Sequence, residues 1–475
     1  MNKYKKLAQN TMIFAIGSFG SKILVLFLTR LYTGNFDYSD SGVKGLLETT
    51  VLLLQPVFTF ALQEYLIRFG LDRNYNKKEV FTTSSVMTIF GMLIMSFTIP
   101  LLSNIPAFDF IKGYTILLIV YITTSSLRML FQQIVRAKEF VKLFSFDGIL
   151  TTFTFFIFNV VFISGFHWGV KGFMLAVILS DFLSSAFLFI AAGLYKYMGL
   201  AYFNKSLCNE MMRFAAPLIP TIVMWAITSL SDKLFIRQMH SDRVQLGEDA
   251  VGIYGYATQI PNLISVISTI FFQAWNMSAI TENESADRGK FYEKVYSAYE
   301  AVLFIASAGL LLFIKPVTAI FIDTSRYAGY GDVYIYTPLL VPAVLFSCLN
   351  QFLGSIYSVT KHSKNSFWTA LAACLVNLLL NFFLIPEWGI QGAAVATLFS
   401  YLFCYWLRII DARYYVPFKF NGVKCFVNTV LLIVMGLITI AEPKAYLVWT
   451  ILITALITAG NFGPLLETVR KVLKR

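Results

Sequence analysis

Long apolar runs recur from one end of the sequence to the other, each about as long as a bilayer-spanning helix. Hydrophobic residues occupy every face of these runs and do not alternate with polar ones, which disfavours the strands of a membrane barrel. Lipid offers no partner for backbone N–H and C=O groups, so each run is predicted to be a helix. The pattern indicates an all-α, polytopic membrane protein with about fourteen transmembrane helices.

Composition agrees with this prediction. The 475 residues are 57% hydrophobic and 13% charged, and the mean hydropathy is +0.68. The connections between apolar runs are short, so no separate water-soluble domain is expected. The net charge is +12, but the basic residues are scattered through the loops and form no single stripe. This distribution argues against a nucleic-acid partner.

The basic residues also predict the orientation in the membrane. Lys and Arg concentrate in alternate loops, for example at Lys77 and Lys78, at Lys138, and in the C-terminal tail. Loops of this kind stay in the cytoplasm during insertion, so both termini are predicted to be cytoplasmic in a cell inner membrane. The basic N-terminus precedes an apolar run with no cleavage signature, and we expect that run to be kept as the first helix.

An internal repeat is visible by eye. Trp168-Gly169-Val170-Lys171-Gly172 opens one predicted helix, and Trp388-Gly389-Ile390-Gln391-Gly392 opens another. A second match pairs Gly42–Gly45 with Gly252–Gly255. The repeat predicts a six-helix lobe over residues 1–205, a second over 206–415, and an additional helix pair with a basic tail over 416–475. The alternative interpretation of the WGxxG pattern is that it is a common way to start a helix, with Gly at a tight turn and Trp at the lipid interface.

Basic residues at membrane depth are the first candidates for function, because charges in lipid are costly and usually face a bundle interior or a watered cavity. A cationic lumen would attract an anionic substrate such as a diphosphate. The alternative is that these side chains hold helices together or extend to the interfaces, and this alternative is favoured for Arg30 and Arg237. The predicted substrate-binding residues are Lys22, Arg128, Lys233, Arg30 and Arg237.

Acidic residues at membrane depth are candidates for ion coupling, because a buried carboxylate can load and release a proton. The candidates are Asp181, Asp232, Glu48 and Glu64. Glu64 could instead form an i,i+4 pair with Arg68, and Glu48 could be solvated near a helix end. Asp232 could pair with a neighbouring basic residue.

Motifs for catalysis or metal binding are absent in any strong form. The sequence contains no GxSxG, HExxH, P-loop or strand-linked GxGxxG pattern. Its five cysteines form no CxxC pair, and they are predicted to be small core residues. No catalytic residue, metal site or cofactor is therefore predicted.

Several segments resemble one transporter family. These are NTMIFAIGSFGSKILVLFLTRLYTGNF (Asn10–Phe36), Asp232–Ile236, DAVGIYGYATQ (Asp249–Gln259) and WGIQGAA (Trp388–Ala394). In helix order they resemble the polysaccharide-export branch of the multidrug/oligosaccharidyl-lipid/polysaccharide (MOP) superfamily. The resemblance implies a V-shaped bundle of two six-helix lobes that opens alternately to either side, with a cationic lumen that maps onto Lys22, Arg128 and Lys233.

The function implied by this resemblance is transport. Members of that branch flip a polyprenyl-diphosphate-linked oligosaccharide from the cytoplasmic to the outer leaflet, supplying O-antigen, capsule or a similar surface glycan. The expected partners are that lipid-linked substrate, membrane lipid and other polysaccharide-assembly proteins. One alternative is a cation-coupled multidrug or toxin antiporter of the same superfamily. A more distant one is a polytopic glycan-assembly enzyme.

Overall fold

The computed structural model describes residues 24, 27–72, 74–282, 288–360 and 362–473, and this part of the chain is helical and contains no strand. The helices are α1 (residues 27–35), α2 (Tyr38–Phe58), α3 (Leu62–Leu71), α4 (Lys77–Leu102), α5 (Thr115–Ala137), α6 (Val141–Asn159), α7 (Gly169–Ala191), α8 (Lys205–Ala215), α9 (Ile219–Gln238), α10 (Glu248–Gln259), α11 (Asn262–Glu282), α12 (Arg288–Leu312), α13 (Ile314–Phe321), α14 (Val333–Tyr336), α15 (Leu340–Thr360), α16 (Ser363–Trp388), α17 (Ile390–Tyr415), α18 (Gly422–Ala441) and α19 (Tyr446–Leu473).

The predicted all-α, polytopic fold is confirmed. Within the described ranges, eleven helices are long and apolar enough to cross a membrane, or twelve if the bent pair α2–α3 counts as one span. The predicted span Ile253 to Met277 corresponds to α10 and α11, which are separated by a short break. The first predicted span, Thr11 to Tyr32, lies largely outside the described residues. Lys22, a predicted substrate-binding residue, is also outside them. The chain is a multi-pass membrane protein.

Two compact units make up the described chain, one ending at Leu234 and the other beginning at Phe235. In the first, an apolar core forms around Tyr65, Phe81 and Ile134. In the second, Trp275 and Phe352 stack in the core, with their ring centroids 4.8 Å apart. None of the five cysteines is in a disulfide; Cys208 is half-buried and the other four are buried.

A sharp break separates α2 from α3, within the membrane span that the sequence predicts from Gly45 to Phe69. Pro56 in this span also predicts a kink. Phe60 adopts a left-handed conformation with φ 53°, and its N–H donates to the Val57 carbonyl. The Ala61 N–H donates to the Pro56 carbonyl at 2.8 Å, which completes a Schellman-type helix end. The chain then turns by 47° into α3.

Gly91 of α4 packs directly on this break. A Cβ atom added at Gly91 would lie 1.7 Å from the carbonyl oxygen of Phe58, which belongs to the backbone and has little room to move. The close approach of two helix backbones therefore requires a glycine at this position.

We expect Gly91→Ala to destabilise the protein by about 1–3 kcal/mol, because the added methyl group forces the α2 backbone away from α4. Thermal unfolding of the purified protein in detergent would measure this as a lower midpoint. Gly148→Ala in α6 is the matched control, since no heavy atom lies within 4 Å of its added Cβ. It should be neutral or slightly stabilising. Equal midpoints for the two variants would contradict the packing described here.

Pro261 causes the second break, between α10 and α11, where an uninterrupted span was predicted. Proline has no N–H to donate to the carbonyl four residues earlier, which is that of Ala257. The buried Thr337 hydroxyl donates to this carbonyl instead, at 3.3 Å. The interruption is therefore stabilised by a side chain that supplies the missing hydrogen bond.

The two WGxxG segments share one backbone geometry. Gly169 and Gly389 both adopt left-handed conformations, with φ of 55° and 57°. A Cβ at Gly172 would lie 3.2 Å from the Phe162 carbonyl oxygen, and one at Gly392 would lie 2.3 Å from that of Leu384. At both helix starts, then, one glycine makes the turn and a second lets the new helix pack against the preceding one.

A charged contact anchors the turn between α18 and α19. Lys315 Nζ lies 2.6 Å from Glu442 Oε2 and 4.7 Å from the centre of the Tyr446 ring. The hydrogen bond from Lys315 lowers the pKa of the Glu442 carboxyl, and the same bond raises the pKa of the Lys315 ammonium. Both groups lie outside the membrane-spanning helices.

This contact predicts a pH dependence of stability. The pKa of Glu442 is lower in the folded protein, so its contribution is complete above its ordinary value of 4.5 and is lost as the pH falls through the folded value. The pKa of Lys315 is raised, so its contribution is lost only above 10.5. We expect the thermal unfolding midpoint to decrease when the pH falls below about 4.5, and this decrease should be smaller in Glu442→Gln. Identical acid profiles for the two proteins would contradict this role.

Candidate functional site

Lys233 is held in the membrane part of α9 by neutral oxygens. Its Nζ donates to the Gly45 carbonyl at 2.8 Å and to the Thr49 hydroxyl at 2.6 Å. In the described structure, no carboxylate forms an ion pair with Lys233.

Lys44 lies on α2 next to Gly45, whose carbonyl accepts the hydrogen bond from Lys233, and it is only 6% exposed. Its Nζ is 2.8 Å from Glu48 and lies 4.5 Å and 4.6 Å from the ring centres of Tyr32 and Phe173. Aromatic faces attract a cation that has lost its water. Lys44 is not among the site residues predicted from the sequence.

Lys44, Glu48, Thr49 and Lys233 together are called the lysine cluster. It brings a predicted substrate-binding residue, Lys233, next to a predicted ion-coupling residue, Glu48. The cluster contains two ammonium groups and one carboxylate, so positive charge is in excess within it. An arrangement of this kind favours an anion.

Arg128 on α5 contacts α7. Its Nη1 lies 3.1 Å from Asp181 Oδ1, and its Nε donates to the Ser184 hydroxyl at 3.2 Å. The Ser125 hydroxyl donates to the other oxygen of Asp181. The side chain of Asp181 is 5% exposed and that of Arg128 is 26% exposed, so part of the guanidinium remains accessible.

Asp147 on α6 adds a second carboxylate to this site and is fully buried. Gln132 donates to it at 2.7 Å, and the Ser184 hydroxyl donates to its other oxygen at 2.5 Å. Asp147 is not among the site residues predicted from the sequence. Arg128, Asp147 and Asp181, with the polar side chains that join them, are called the arginine cluster.

The arginine cluster differs from the lysine cluster in charge, because it contains one guanidinium and two carboxylates. Tyr121 lies on the same face of α5 as Ser125, Arg128 and Gln132, and it is close enough to both Glu48 and Asp181 to interact electrostatically with each. One carboxylate of each cluster, Glu48 and Asp181, therefore lies near Tyr121. Lys233 and Arg128 have separate partners and do not contact each other in the described structure.

The remaining predicted site residues lie elsewhere. Asp232 is buried. Arg237 contacts Glu248 at 2.8 Å, which accounts for its position at the end of α9. Arg30 is exposed on α1.

Glu64 on α3 is also exposed, and the i,i+4 pair considered for it is not formed. The guanidinium of Arg68 lies over the Phe214 ring at 4.5 Å instead. Among the described residues, no three His, Cys, Asp or Glu side chains come together in a way that could hold a metal ion.

The fold is similar to those of solved membrane transporters of the MOP superfamily, as the sequence resemblance predicted. Two solved structures match the chain with a TM-score of 0.65 and 15% identity. One is the lipid II flippase MurJ in an inward closed conformation, with 98% of this chain and 100% of that chain covered. The other is an inward-facing multidrug resistance MATE family transporter, with 87% and 99% covered.

A curated relative points in the same direction. The probable lipid II flippase MurJ of Thermotoga maritima is 23% identical over 285 residues, which cover 57% of this chain. The match spans about half of that relative, 54% of its length. No family model matches the chain.

Proposed function

We propose that this protein is a flippase that moves a polyprenyl-diphosphate-linked oligosaccharide from the cytoplasmic to the outer leaflet of the cell inner membrane. The movement occurs by alternating access between lobes at residues 1–205 and 206–415, and both termini are cytoplasmic. The product supplies a surface polysaccharide such as O-antigen or capsule, in concert with other assembly proteins.

The lysine cluster is the observation that carries this proposal. The Lys233 ammonium group is half-buried, donates to a carbonyl and a hydroxyl, and forms no ion pair in the described structure. A diphosphate would supply an ionic partner through charge-assisted hydrogen bonds. The fold shared with a lipid II flippase supports the same substrate class.

Ion coupling is assigned to the arginine cluster. A phosphate oxygen that takes the accessible part of Arg128 competes with Asp181 for the guanidinium. A carboxylate left without this partner in a buried site would take up a cation or a proton. Asp181 is therefore the leading coupling residue; Glu48, Asp232 and Glu64 remain predictions.

The test is translocation by the purified protein in vesicles. A polyprenyl-diphosphate oligosaccharide with a fluorophore on its sugar is placed in both leaflets, and dithionite quenches only the outer pool. The protein should make the inner pool accessible, whereas protein-free vesicles should not. Absence of movement in either direction, with or without an ion gradient, would contradict the proposal.

A cation-coupled drug antiporter is the second candidate. The excess carboxylate in the arginine cluster favours it, because a cationic drug would bind there. The similarity of the fold to that of a MATE transporter supports the same candidate. Dye efflux from cells that express the protein, without movement of the lipid-linked oligosaccharide, would establish this alternative.

A further inference from the structure

A groove of about 590 Å³ opens in the first unit, and its lining includes no residue of either charged cluster. Its walls come from the first turns of α2 and α7 and from the residue before α5, so three helix starts converge on it. The volume is in the range of small-molecule sites. Its lining residues are Asp40, Tyr114, His167, Trp168, Gly169, Val170, Lys171 and Leu175.

Trp168 offers a flat apolar surface to this groove. Its ring stacks on Phe162 and Phe166, with centroids 5.2 Å and 5.0 Å away. The centroids of those two phenylalanine rings are 6.4 Å from each other. Trp168 is 47% exposed, which leaves part of its ring accessible to a ligand.

Polar groups of both signs surround this surface. The Asp40 carboxylate lies beside Gly169, with Oδ2 3.3 Å from where a Cβ would be. His167 and Lys171 are exposed on either side of Trp168 in the sequence. Within the described residues, none of these three side chains forms a hydrogen bond or an ion pair. The groove therefore offers acceptors and donors that are free to bind a ligand.

The matching segment of the second unit is filled. Val244 packs on Gly389, at 3.3 Å from the position of an added Cβ, and the Ser241 hydroxyl donates to the Pro386 carbonyl at 2.6 Å. Gln391, which matches Lys171 in the repeat, donates to the Ile335 carbonyl at 2.7 Å. The same helix start is thus covered in one unit and left open in the other.

We propose that this groove binds the oligosaccharide of the substrate at the outer side of the membrane. The exposed part of the Trp168 ring stacks against the C–H face of a sugar ring, Asp40 accepts hydroxyl hydrogens, and Lys171 and His167 donate to sugar oxygens. Asp40 offsets the charge of Lys171, which favours a sugar over a phosphate. The identity of the ligand rests on the proposed function.

The test is binding of soluble oligosaccharides to the full-length protein in detergent. Chitotetraose, maltotetraose and tetragalacturonate serve as probes, and inorganic pyrophosphate serves as the anion comparison. Saturation-transfer NMR detects contact, and a titration gives the dissociation constant. At least one oligosaccharide should bind, and Trp168→Ala should weaken that binding about tenfold.

Trp388→Ala is the matched control, because Trp388 is 54% exposed but its neighbouring glycine is covered. It should leave binding unchanged. Asp40→Asn removes a charge without removing volume and should also weaken binding. It is the test variant if Trp168→Ala does not fold.

Failure of all three oligosaccharides to bind, stronger binding of pyrophosphate, or equal effects of the two tryptophan variants would each overturn the inference. Because binding needs no translocation, the two proposals can fail separately. Binding that depends on Trp168, without movement of the lipid-linked substrate, would support the groove as a sugar site and contradict the flippase function. Movement of the substrate by a protein that binds no sugar at the groove would support the flippase function and contradict the sugar site.

Discussion

Lys233→Gln is expected to reduce translocation of the lipid-linked oligosaccharide about 10- to 100-fold, because one charge-assisted hydrogen bond to the diphosphate is lost. Glutamine keeps an N–H donor on a side chain one bond shorter, so part of the contact between α9 and α2 is kept. The measurement is the initial rate of dithionite accessibility in vesicles. The unfolding midpoint should change little.

Lys78→Gln is the control for this variant. Lys78 is also a lysine whose Nζ approaches a hydroxyl, that of Tyr202 at 3.3 Å, and an aromatic ring, at 5.0 Å. It lies at the start of α4, outside the lysine cluster, and its loss should leave the rate unchanged. Equal rates for Lys233→Gln and the unaltered protein would remove the lysine cluster from the proposed binding site.

Arg128→Gln is expected to destabilise the protein by about 3–5 kcal/mol, because removing one partner of a buried ion pair leaves the other charge uncompensated. Here two carboxylates lose their guanidinium: Asp181 directly, and Asp147 through Ser184. Thermal unfolding in detergent should show a large fall in the midpoint. Yield in the membrane should fall with it.

The double variant Arg128→Gln/Asp181→Asn separates charge from packing. It removes one positive and one negative group and keeps both side chains polar, so much of the lost stability should return. Asp147 keeps its hydrogen bond from Gln132 at 2.7 Å in both variants. If the double variant is no more stable than Arg128→Gln, the destabilisation does not come from the unpaired carboxylate.

The all-helical type of the fold follows from the sequence because lipid restricts the backbone to helices. The placement of Arg128 and Gln132 on one face of α5 was also predictable from helical periodicity, and both side chains belong to the arginine cluster. The break after Pro56 was only partly predictable. Proline indicates a kink, whereas the left-handed Phe60 depends on the close contact with Gly91.

The pairing of Arg128 with Asp181 could not be predicted from sequence. The two residues lie on helices separated by α6, and their contact depends on how each helix is rotated about its axis. The same reason explains why Lys44 and Asp147 were missed. Hydropathy gives the depth of a residue in the bilayer, but it does not give the neighbour that its side chain meets.

Four of the five native thiols are buried, and only Cys208 is partly accessible to reagents. Replacement of that single residue would give a nearly silent background for maleimide chemistry. One engineered cysteine at a chosen loop would then report, with a membrane-impermeant reagent, which side of a living cell that loop faces. Spin labels placed the same way could follow distance changes during turnover without rebuilding the protein's interior.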